Sequence, residues 1–381
     1  MKRFRLVLLA LSFAFVLGFA GLLTAGLTSN ESLFQALGNL AEVVHLVQSE
    51  YVDELDPEVL SLALDAGVLE SLDPWAAVVS DDQVDAYERV FSDPPPYGLG
   101  LSLRFGSAAV RVVFPGSPAD QAGLDRWEVI EKIDGVYTRG RPLWHVALEL
   151  ADKEAHGDTV HLTVMDREVD QRREVAVLAT EWTPVLATAS DAPTGDQEQP
   201  VRVIKIDSLT AGSSAAVADL LDVGSPTVLD LRGLVWGVED EAIKVADLFV
   251  GDGTLARWKG REAGGEVIEA SNDVRGQLPT VVVDGETEWP GEILAAALKR
   301  SGAVIVGQST MGHAPHMQVV RDGNLNLWIP VGRWLAPDDD PIQERGVAPD
   351  EEVEAPDEET EDDPMLERAV EVARGDMAEA A

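Results

Sequence analysis

TVVVDGETEWPGEILAAALKR, residues 280–300, joins an apolar run of strand length to a helical pattern and decides the fold class of the C-terminal half of the chain. Three other apolar runs share this character: VRVIKI at 201–206, TVLDL at 227–231 and AVIVG at 303–307. Strand-length runs that alternate with helical patterns indicate parallel strands joined by crossover helices. We therefore predict an α/β core over residues 201–352 with a mainly parallel sheet.

The composition excludes several classes of function. The 381 residues include 29 basic and 68 acidic side chains, which give a formal net charge of −39. Nucleic acid is excluded as a partner because its binding relies on Lys and Arg that displace counterions from phosphates. The chain has no Cys, so disulfides, thiol nucleophiles and Cys-ligated metals are also excluded.

The N-terminus predicts a membrane anchor over residues 1–30. Three basic residues, Lys2, Arg3 and Arg5, precede an uncharged apolar run from Leu6 to about Leu27. A run of about 20 apolar residues is long enough to span a bilayer as a helix, and the basic flank stays on the cytoplasmic side. We predict an uncleaved single-pass anchor in a bacterial-type inner membrane, with the soluble body on the periplasmic or extracytoplasmic side. The small residues at 24–26 leave cleavage open.

The rest of the chain divides by pattern and composition. Apolar residues recur at helical spacing in LFQALGNLAEVVHLV at 33–47 and VLSLALDAGVLESL at 59–72. The acidic stretch 351–363 predicts disorder, and MLERAVEVAR at 365–374 predicts an amphipathic helix. The predicted regions are a helical region at 31–90, a β-rich domain at 91–182, a linker at 183–200, the α/β core at 201–352, and an acidic tail with a C-terminal helix at 353–381.

Three motifs in the β-rich region resemble those of a PDZ domain, a β-rich fold with two helices. They are YGLGLSL at 97–103, GSPADQAGL at 116–124 and WEVIEKIDGVYTRG at 127–140. Glycines in the first motif free the backbone to turn its N–H groups towards the terminal carboxylate of a peptide, and the following strand offers an edge to an extended chain. The predicted peptide-binding residues are Gly98, Leu99, Gly100, Leu101 and Leu103.

The wider chain resembles the carboxyl-terminal processing, or tail-specific, serine peptidases, which carry a PDZ domain within a helical and α/β peptidase body. The motifs that carry the resemblance are YVDELDP at 51–57, LESLDPW at 69–75, DLRG at 230–233, VADLF at 245–249, RWLAP at 333–337 and GVAPD at 346–350. Together they span about 300 residues and follow the order that the family has. The resemblance implies a Ser nucleophile and a neutral Lys as general base.

The sequence departs from the family at both catalytic positions. Alignment on Glu292 and Ile293 places Trp289 where the resemblance implies the nucleophile, and an indole has no attacking atom. His313 occupies the position of the Lys. The family follows its DLR motif with an Asn-Pro-Gly-Gly turn that supplies oxyanion-stabilising backbone, and here only Gly233 and Gly237 remain as remnants of that loop.

Other side chains near these positions allow weaker alternatives. Thr287 or Ser309 with His313 would form a hydroxyl and base pair, although we interpret Thr287 as a helix cap. His313 and His316, with Glu286 and Glu288, are disfavoured as a metal site because they form no ligand cluster in sequence, and we predict no metal or cofactor. Trp236 and Trp289 either plug the vacated site or form an aromatic surface for a ligand.

Three hypotheses follow from the sequence. In the first, the protein is a pseudo-peptidase that binds C-terminal or extended segments of other exported proteins as a scaffold or regulator. In the second, it is an active serine-type or threonine-type endopeptidase with altered catalytic residues. In the third, it is an assembly subunit that forms a homo-oligomer or pairs with an active relative through the helical region.

Overall fold

The structure of the chain is a computed structural model. The residues that it describes are 31–52, 60, 64, 67–166, 170–192, 200–222, 224–261, 264–323, 325–355 and 362–375. The chain divides into two units, Met1–Leu62 and Ala63–Ala381. In the first unit the described residues form helix α1, Glu31–Glu50.

The membrane anchor predicted over residues 1–30 lies outside the described residues. Within the ranges that are described, no helix combines the length and apolar character needed to cross a bilayer.

The described helices of the second unit are mostly short. They are α2 (Val84–Ser92), α3 (Pro118–Gln121), α4 (Leu143–Ala155), α5 (Ser213–Leu220), α6 (Glu239–Asp247), α7 (Pro290–Arg300) and α8 (Pro364–Ala373). A single 3₁₀ turn, Pro96–Gly98, precedes strand β2.

A central six-stranded sheet forms the α/β core. Its spatial order is β17 (Glu351–Glu352), β14 (Ile305–Gly307), β13 (Thr280–Val283), β10 (Thr227–Asp230), β9 (Arg202–Ile206) and β8 (Ala187–Asp191). The pairs from β17 to β9 are all parallel, and only β8 runs antiparallel to its neighbour. The prediction of a mainly parallel sheet is therefore confirmed.

Helix α8 covers one face of the central sheet. Met365, Ala369 and Val370 of this helix pack in one buried cluster with valines of β9, β10, β13 and β14. Side chains alternate between the two faces of a strand, so the neighbouring residues Ile204 and Leu229 are buried on the opposite face. Strands buried on both faces explain why these runs are almost continuously apolar.

A second, largely antiparallel sheet is built from the region that resembles a PDZ domain. Its order is β2 (Leu99–Arg104), β3 (Ser107–Val113), β4 (Val129–Ile133), β6 (Thr159–Asp166) and β7 (Gln171–Leu178), and β5 (Val136–Tyr137) pairs with β4. Strand β2 is thus an edge strand of this sheet. The PDZ assignment of this region stays a prediction.

The third sheet corrects two expectations. Its strands are β1 (Ala77–Val79), β16 (Leu325–Trp334), β11 (Thr254–Gly260) and β12 (Gly265–Glu269), and β15 (Pro315–Asp322) also pairs with β16. Strand β1 lies inside the region that was predicted to be helical, because it pairs antiparallel with β16. Residues 351–352 were assigned to a disordered acidic stretch, but they form β17 at the edge of the central sheet.

The packing of α8 leads to a first prediction, on stability. Met365 is fully buried, so we expect Met365→Ala to lower the free energy of unfolding by about 2 to 5 kcal/mol. Glu367, on the exposed side of the same helix, is the matched control, and Glu367→Ala should change it by less than about 1 kcal/mol. Urea denaturation followed by circular dichroism measures both. Equal stability of the two variants would contradict a structural role for α8.

Candidate functional site

The candidate site lies at one edge of the central sheet. Three loops, residues 231–238, 284–289 and 308–314, follow the carboxyl ends of the parallel strands β10, β13 and β14. Such an edge is where open α/β sheets place their ligands. Hydrogen bonds join the three loops, since Glu288 N donates to Leu234 O at 3.0 Å and Trp289 N donates to His313 O at 3.0 Å. The parallel sheet thus gathers most of the residues that the sequence singles out.

Trp289 is the residue immediately before helix α7. Its φ of 43° and ψ of −102° are unusual for a large side chain, and its side chain is buried. The indole ring lies edge-on to Phe91, with a distance of 5.3 Å between ring centroids, and its Nε1 donates to Glu239 Oε1 at 3.4 Å. The position where the resemblance implies a nucleophile therefore holds a buried ring without a nucleophilic atom.

His313 is held between two carboxylates. Its Nδ1 lies 2.9 Å from Glu288 Oε1, and its Nε2 lies 2.8 Å from Asp73 Oδ2. A histidine that faces a carboxylate on both ring nitrogens donates from both, so it is an imidazolium. The geometry leaves neither nitrogen available to accept a proton.

The electrostatics of the cluster favour the charged form of His313. Burial alone would lower the pKa of His313, but the hydrogen bonds and negative charges of Asp73 and Glu288 outweigh it and raise this pKa to about 10. Burial would also raise the pKa of Glu288, yet His313 and Arg111 hold it below its ordinary value. His313 is therefore a cation at neutral pH.

Arg111 of strand β3 extends the cluster into the antiparallel sheet. Its Nη2 donates to Glu288 Oε2 at 3.0 Å and to the carbonyl of Glu286 at 3.2 Å. Its guanidinium also lies 4.6 Å from the ring centroid of Trp127. The result is a row of alternating charges, Arg111, Glu288, His313 and Asp73, which we name the charge row. It ties the antiparallel sheet to two loops of the α/β core and to the segment before β1.

The hydroxyls considered as alternative nucleophiles are not positioned for that role. Thr287 is fully buried, and its Oγ1 lies 3.0 Å from Leu231 O and 3.0 Å from Asp284 Oδ1. It stabilises the turn before α7 instead of capping that helix, which corrects our interpretation. Ser309 is exposed, and the hydroxyl of Thr310 donates to Glu292 and accepts from Val347 N. Both ring nitrogens of His313 bind carboxylates, so none of these hydroxyls is paired with that imidazole.

The remnants of the oxyanion loop have other partners. Gly233 N donates to Asp284 Oδ1 at 3.1 Å. Gly237 has a φ of +139°, and a Cβ at this position would lie 2.4 Å from the carbonyl of Leu209. This glycine allows the close pairing in which Leu209 N donates to Trp236 O and Val238 N donates to Leu209 O, each at 2.9 Å. Its conformation is thus explained by backbone packing.

The predicted peptide-binding residues line the start of strand β2. Residues 98–101 are buried, and only Leu103 is partly exposed. The ring of Trp236 packs against Gly100, where a Cβ would lie 3.1 Å from Cε3 of the indole. In this conformation Trp236 of the α/β core contacts one glycine of the motif that resembles a carboxylate-binding loop.

A cavity of about 500 Å³ lies between the remainder of β2 and the loops of the candidate site. Its wall includes the buried rings of Trp75, Phe91, Trp236 and Trp289. Phe91 contacts both tryptophans that the sequence placed across the cleft, at centroid distances of 5.9 Å from Trp236 and 5.3 Å from Trp289. The two tryptophans therefore pack against a shared ring and also line a cavity. They combine the two alternatives from the sequence, a plug in the cleft and an aromatic surface.

The residues considered as metal ligands do not converge. His316 Nδ1 pairs with Glu239 Oε2 at 2.6 Å, and the imidazole stacks on Trp258. Glu286 forms ion pairs with Arg111 and Arg126. In the described part of the chain, no group of three or more His, Asp or Glu side chains is arranged to hold a metal ion.

Sequence reasoning missed three residues of the site. Asp73 lies in the LESLDPW motif, which we used only to support the resemblance, and Arg111 lies in the apolar strand β3. Phe91 lies in the last turn of helix α2 and has no chemical signal in the sequence. Charged residues inside otherwise apolar segments were the available signal, because buried charges are normally paired.

Comparison with known proteins agrees with this fold. Residues 201–353 match the profile of peptidase family S41. A probable CtpA-like serine protease of Staphylococcus aureus (strain COL) is 27% identical over 343 residues, which cover 84% of this chain and 65% of the relative. Residues 201–353 thus carry a domain of peptidase family S41, and most of the chain is similar to carboxyl-terminal processing serine proteases.

Two further proteins are similar to this chain. The carboxy-terminal processing protease CtpA of Bacillus subtilis (strain 168) is 24% identical over 363 residues, which cover 89% of this chain and 75% of that protein. A photosystem II D1 C-terminal processing protease has the same fold, with a TM-score of 0.62 and 21% identity over 81% of this chain and 85% of its own. The chain spans 65% of the length of the S. aureus relative.

The charge row predicts a pH-dependent stability. The pKa of His313 is about 10 in the folded protein and about 6.5 when unfolded, so its contribution to stability is complete below about pH 6.5 and is lost as the pH rises to about 10. We expect His313→Gln to lower the free energy of unfolding by about 3 kcal/mol at pH 6, because Asp73 loses its cation, and by much less at pH 9.5. Urea denaturation of both proteins at the two pH values measures this difference. A difference that is the same at both values would exclude a titrating role for His313.

Gly237 provides a test of the structural reading of the oxyanion loop. We expect Gly237→Ala to lower the free energy of unfolding by roughly 2 to 4 kcal/mol, because the added Cβ requires an unfavourable φ and overlaps Leu209. Gly285→Ala is the control, since its Cβ would meet no atom closer than 3.9 Å, and its effect should be about 0.5 kcal/mol or less. Thermal denaturation of the two variants decides between a packing role for Gly237 and none.

Proposed function

We propose that this protein is a pseudo-peptidase of its family, which binds C-terminal or extended segments of other exported proteins and does not cut them. The observation that carries the proposal is Trp289, a buried indole at the start of α7 where the family resemblance implies a nucleophile. Acyl transfer needs an atom that attacks the peptide carbonyl, and an indole offers none. The fold of a carboxyl-terminal processing peptidase then binds the C-terminal segments of other proteins without cutting them.

The surroundings of Trp289 support the same conclusion. His313 is a cation in two ion pairs, so a nucleophile introduced at position 289 would find no base at this residue. The amide N–H of Trp289 donates to His313 O and that of Gly233 donates to Asp284, so neither is free to stabilise an oxyanion. The side chains at the nucleophile and base positions, and the two backbone N–H groups, are thus all engaged in other contacts.

The binding half of the proposal rests on strand β2 and the cavity beside it. Strand β2 is an edge strand whose second half, 102–104, is half-buried, and an accessible strand edge is where an extended peptide adds to a sheet. The PDZ resemblance of this region supports a peptide as the ligand. The basic residues and apolar run at the N-terminus support a membrane-anchored protein with an exported body.

Peptidase assays test the proposal directly. The full-length protein in detergent micelles should leave unfolded protein substrates and C-terminal peptides intact, as read by mass spectrometry, and should take no label from a fluorophosphonate probe. The carboxy-terminal processing protease of B. subtilis is the positive control. We expect Trp289→Ser to remain inactive, because His313 stays protonated. Cleavage of a peptide, or a covalent acyl adduct on any side chain of the wild type, would overturn the proposal.

A further inference from the structure

The cavity beside β2 has an aromatic wall whose rings contact one another. Trp75 lies edge-on to Phe91, with 4.9 Å between ring centroids, and edge-on to Trp236 at 5.8 Å. Phe91 in turn contacts Trp236 and Trp289. All four rings are buried and line the cavity. Because the rings hold one another in place, they offer a preformed surface of ring faces and edges to an aromatic ligand.

A second group of residues gives the same cavity a cationic part. Arg104 and Arg111 line it, and their guanidinium groups lie 5.3 Å and 4.6 Å from the ring centroid of Trp127, which also lines it. Among the described residues of the wall, Glu288 alone carries a carboxylate. Its two oxygens already bind Arg111 and His313. The carboxylate of the wall is therefore engaged.

Arg104 is the cation that these pairings leave over. The charge row contains two cations and two carboxylates, and Arg126 beside it pairs with Glu286. Arg104 is half-buried, and within the described part of the chain it has no ion pair and no side-chain hydrogen bond. In a chain with a net charge of −39, such a cation at the wall of a cavity favours a ligand with one negative charge.

The dimensions of the cavity suit a small molecule. Its volume of about 500 Å³ lies within the range of pockets that enclose small ligands. Residues 98–101 are buried and Trp236 packs on Gly100, so the cavity is closed towards the start of β2. The wall offers ring surface and one guanidinium, and a compact ligand is able to use both without hydrogen bonds to the backbone of the strand.

We propose that the cavity binds a small aromatic molecule with one acidic group, its ring system against the four rings and its acidic group on Arg104. A carboxylate or a sulfonate suits this arginine, because a guanidinium donates two parallel N–H groups to a pair of oxygens. A neutral aromatic molecule would leave Arg104 unpaired, and an anion without a ring would leave the aromatic wall uncovered. The inference goes beyond the proposed function, since it requires neither peptide binding nor the loss of cleavage.

The test uses isothermal titration calorimetry on the full-length protein in detergent micelles. The probes are naphthalene-2-sulfonate, the uncharged naphthalene-2-sulfonamide and methanesulfonate, and titrations into micelles alone are subtracted. We expect the naphthalenesulfonate to bind one site per chain, about tenfold or more tightly than the sulfonamide, because only the anion makes charge-assisted hydrogen bonds to Arg104. Methanesulfonate, which has no ring, should show no detectable binding.

A variant then assigns the charged contact. We expect Arg104→Gln to reduce the affinity for the naphthalenesulfonate to that for the sulfonamide. Its affinity for the sulfonamide should stay that of the wild type, which shows that the aromatic wall is still formed. Arg139→Gln is the matched control, because Arg139 is an exposed arginine of the same sheet region outside the cavity wall, and it should bind all probes like the wild type.

Three results would overturn the inference. Equal affinity of the wild type for the sulfonate and the sulfonamide would exclude the charged contact. A preference for the sulfonate that survives in Arg104→Gln would exclude this arginine as its origin. Binding of neither naphthalene probe above the micelle blank, at two temperatures, would exclude the site altogether. None of these results touches the proposed function, which the peptidase assays decide, and cleavage of a peptide would leave this site standing.

Discussion

The charge row is the interaction on which the rest of the site depends. Arg111, Glu288, His313 and Asp73 alternate in sign, and each inner member contacts both of its neighbours at 2.8 to 3.3 Å. Taking such charges from water is costly, and only mutual pairing with good geometry repays the cost. The row therefore holds its four segments together as one unit: strand β3, the turn before α7, the loop after β14 and the segment before β1.

The charge row also sets the protonation state of His313. A general base must be neutral near the working pH, which for a buried Lys or His requires an apolar surrounding. Here two carboxylates surround the ring of His313, and they raise its pKa by more than burial lowers it. The same contacts that stabilise the fold keep the proton on the imidazole. Replacing His313 would therefore also remove a partner of Glu288, the residue next to Trp289 in the sequence.

Much of the fold followed from sequence, because its signals are local. Apolar runs such as 280–283 predict buried strands without knowledge of their partners, and Trp289 and His313 could be placed by alignment to neighbouring motifs. The charge row could not be predicted, because Asp73 and His313 are 240 residues apart and meet only through tertiary pairing. Strand β1 was mistaken for helix for the same reason, since its structure depends on β16.

Aromatic rings set the shape of the cavity. Trp289 and Trp236 fill part of the cleft with rings that both pack on Phe91. Rings of fixed shape cannot fill an irregular cleft completely, so space remains between them and strand β2. That space has an aromatic wall, and two buried donors beside it, Ser102 Oγ and Trp236 Nε1, have no hydrogen-bond partner among the described residues. The volume of the two indoles therefore accounts both for the packed position before α7 and for the aromatic surface of the cavity.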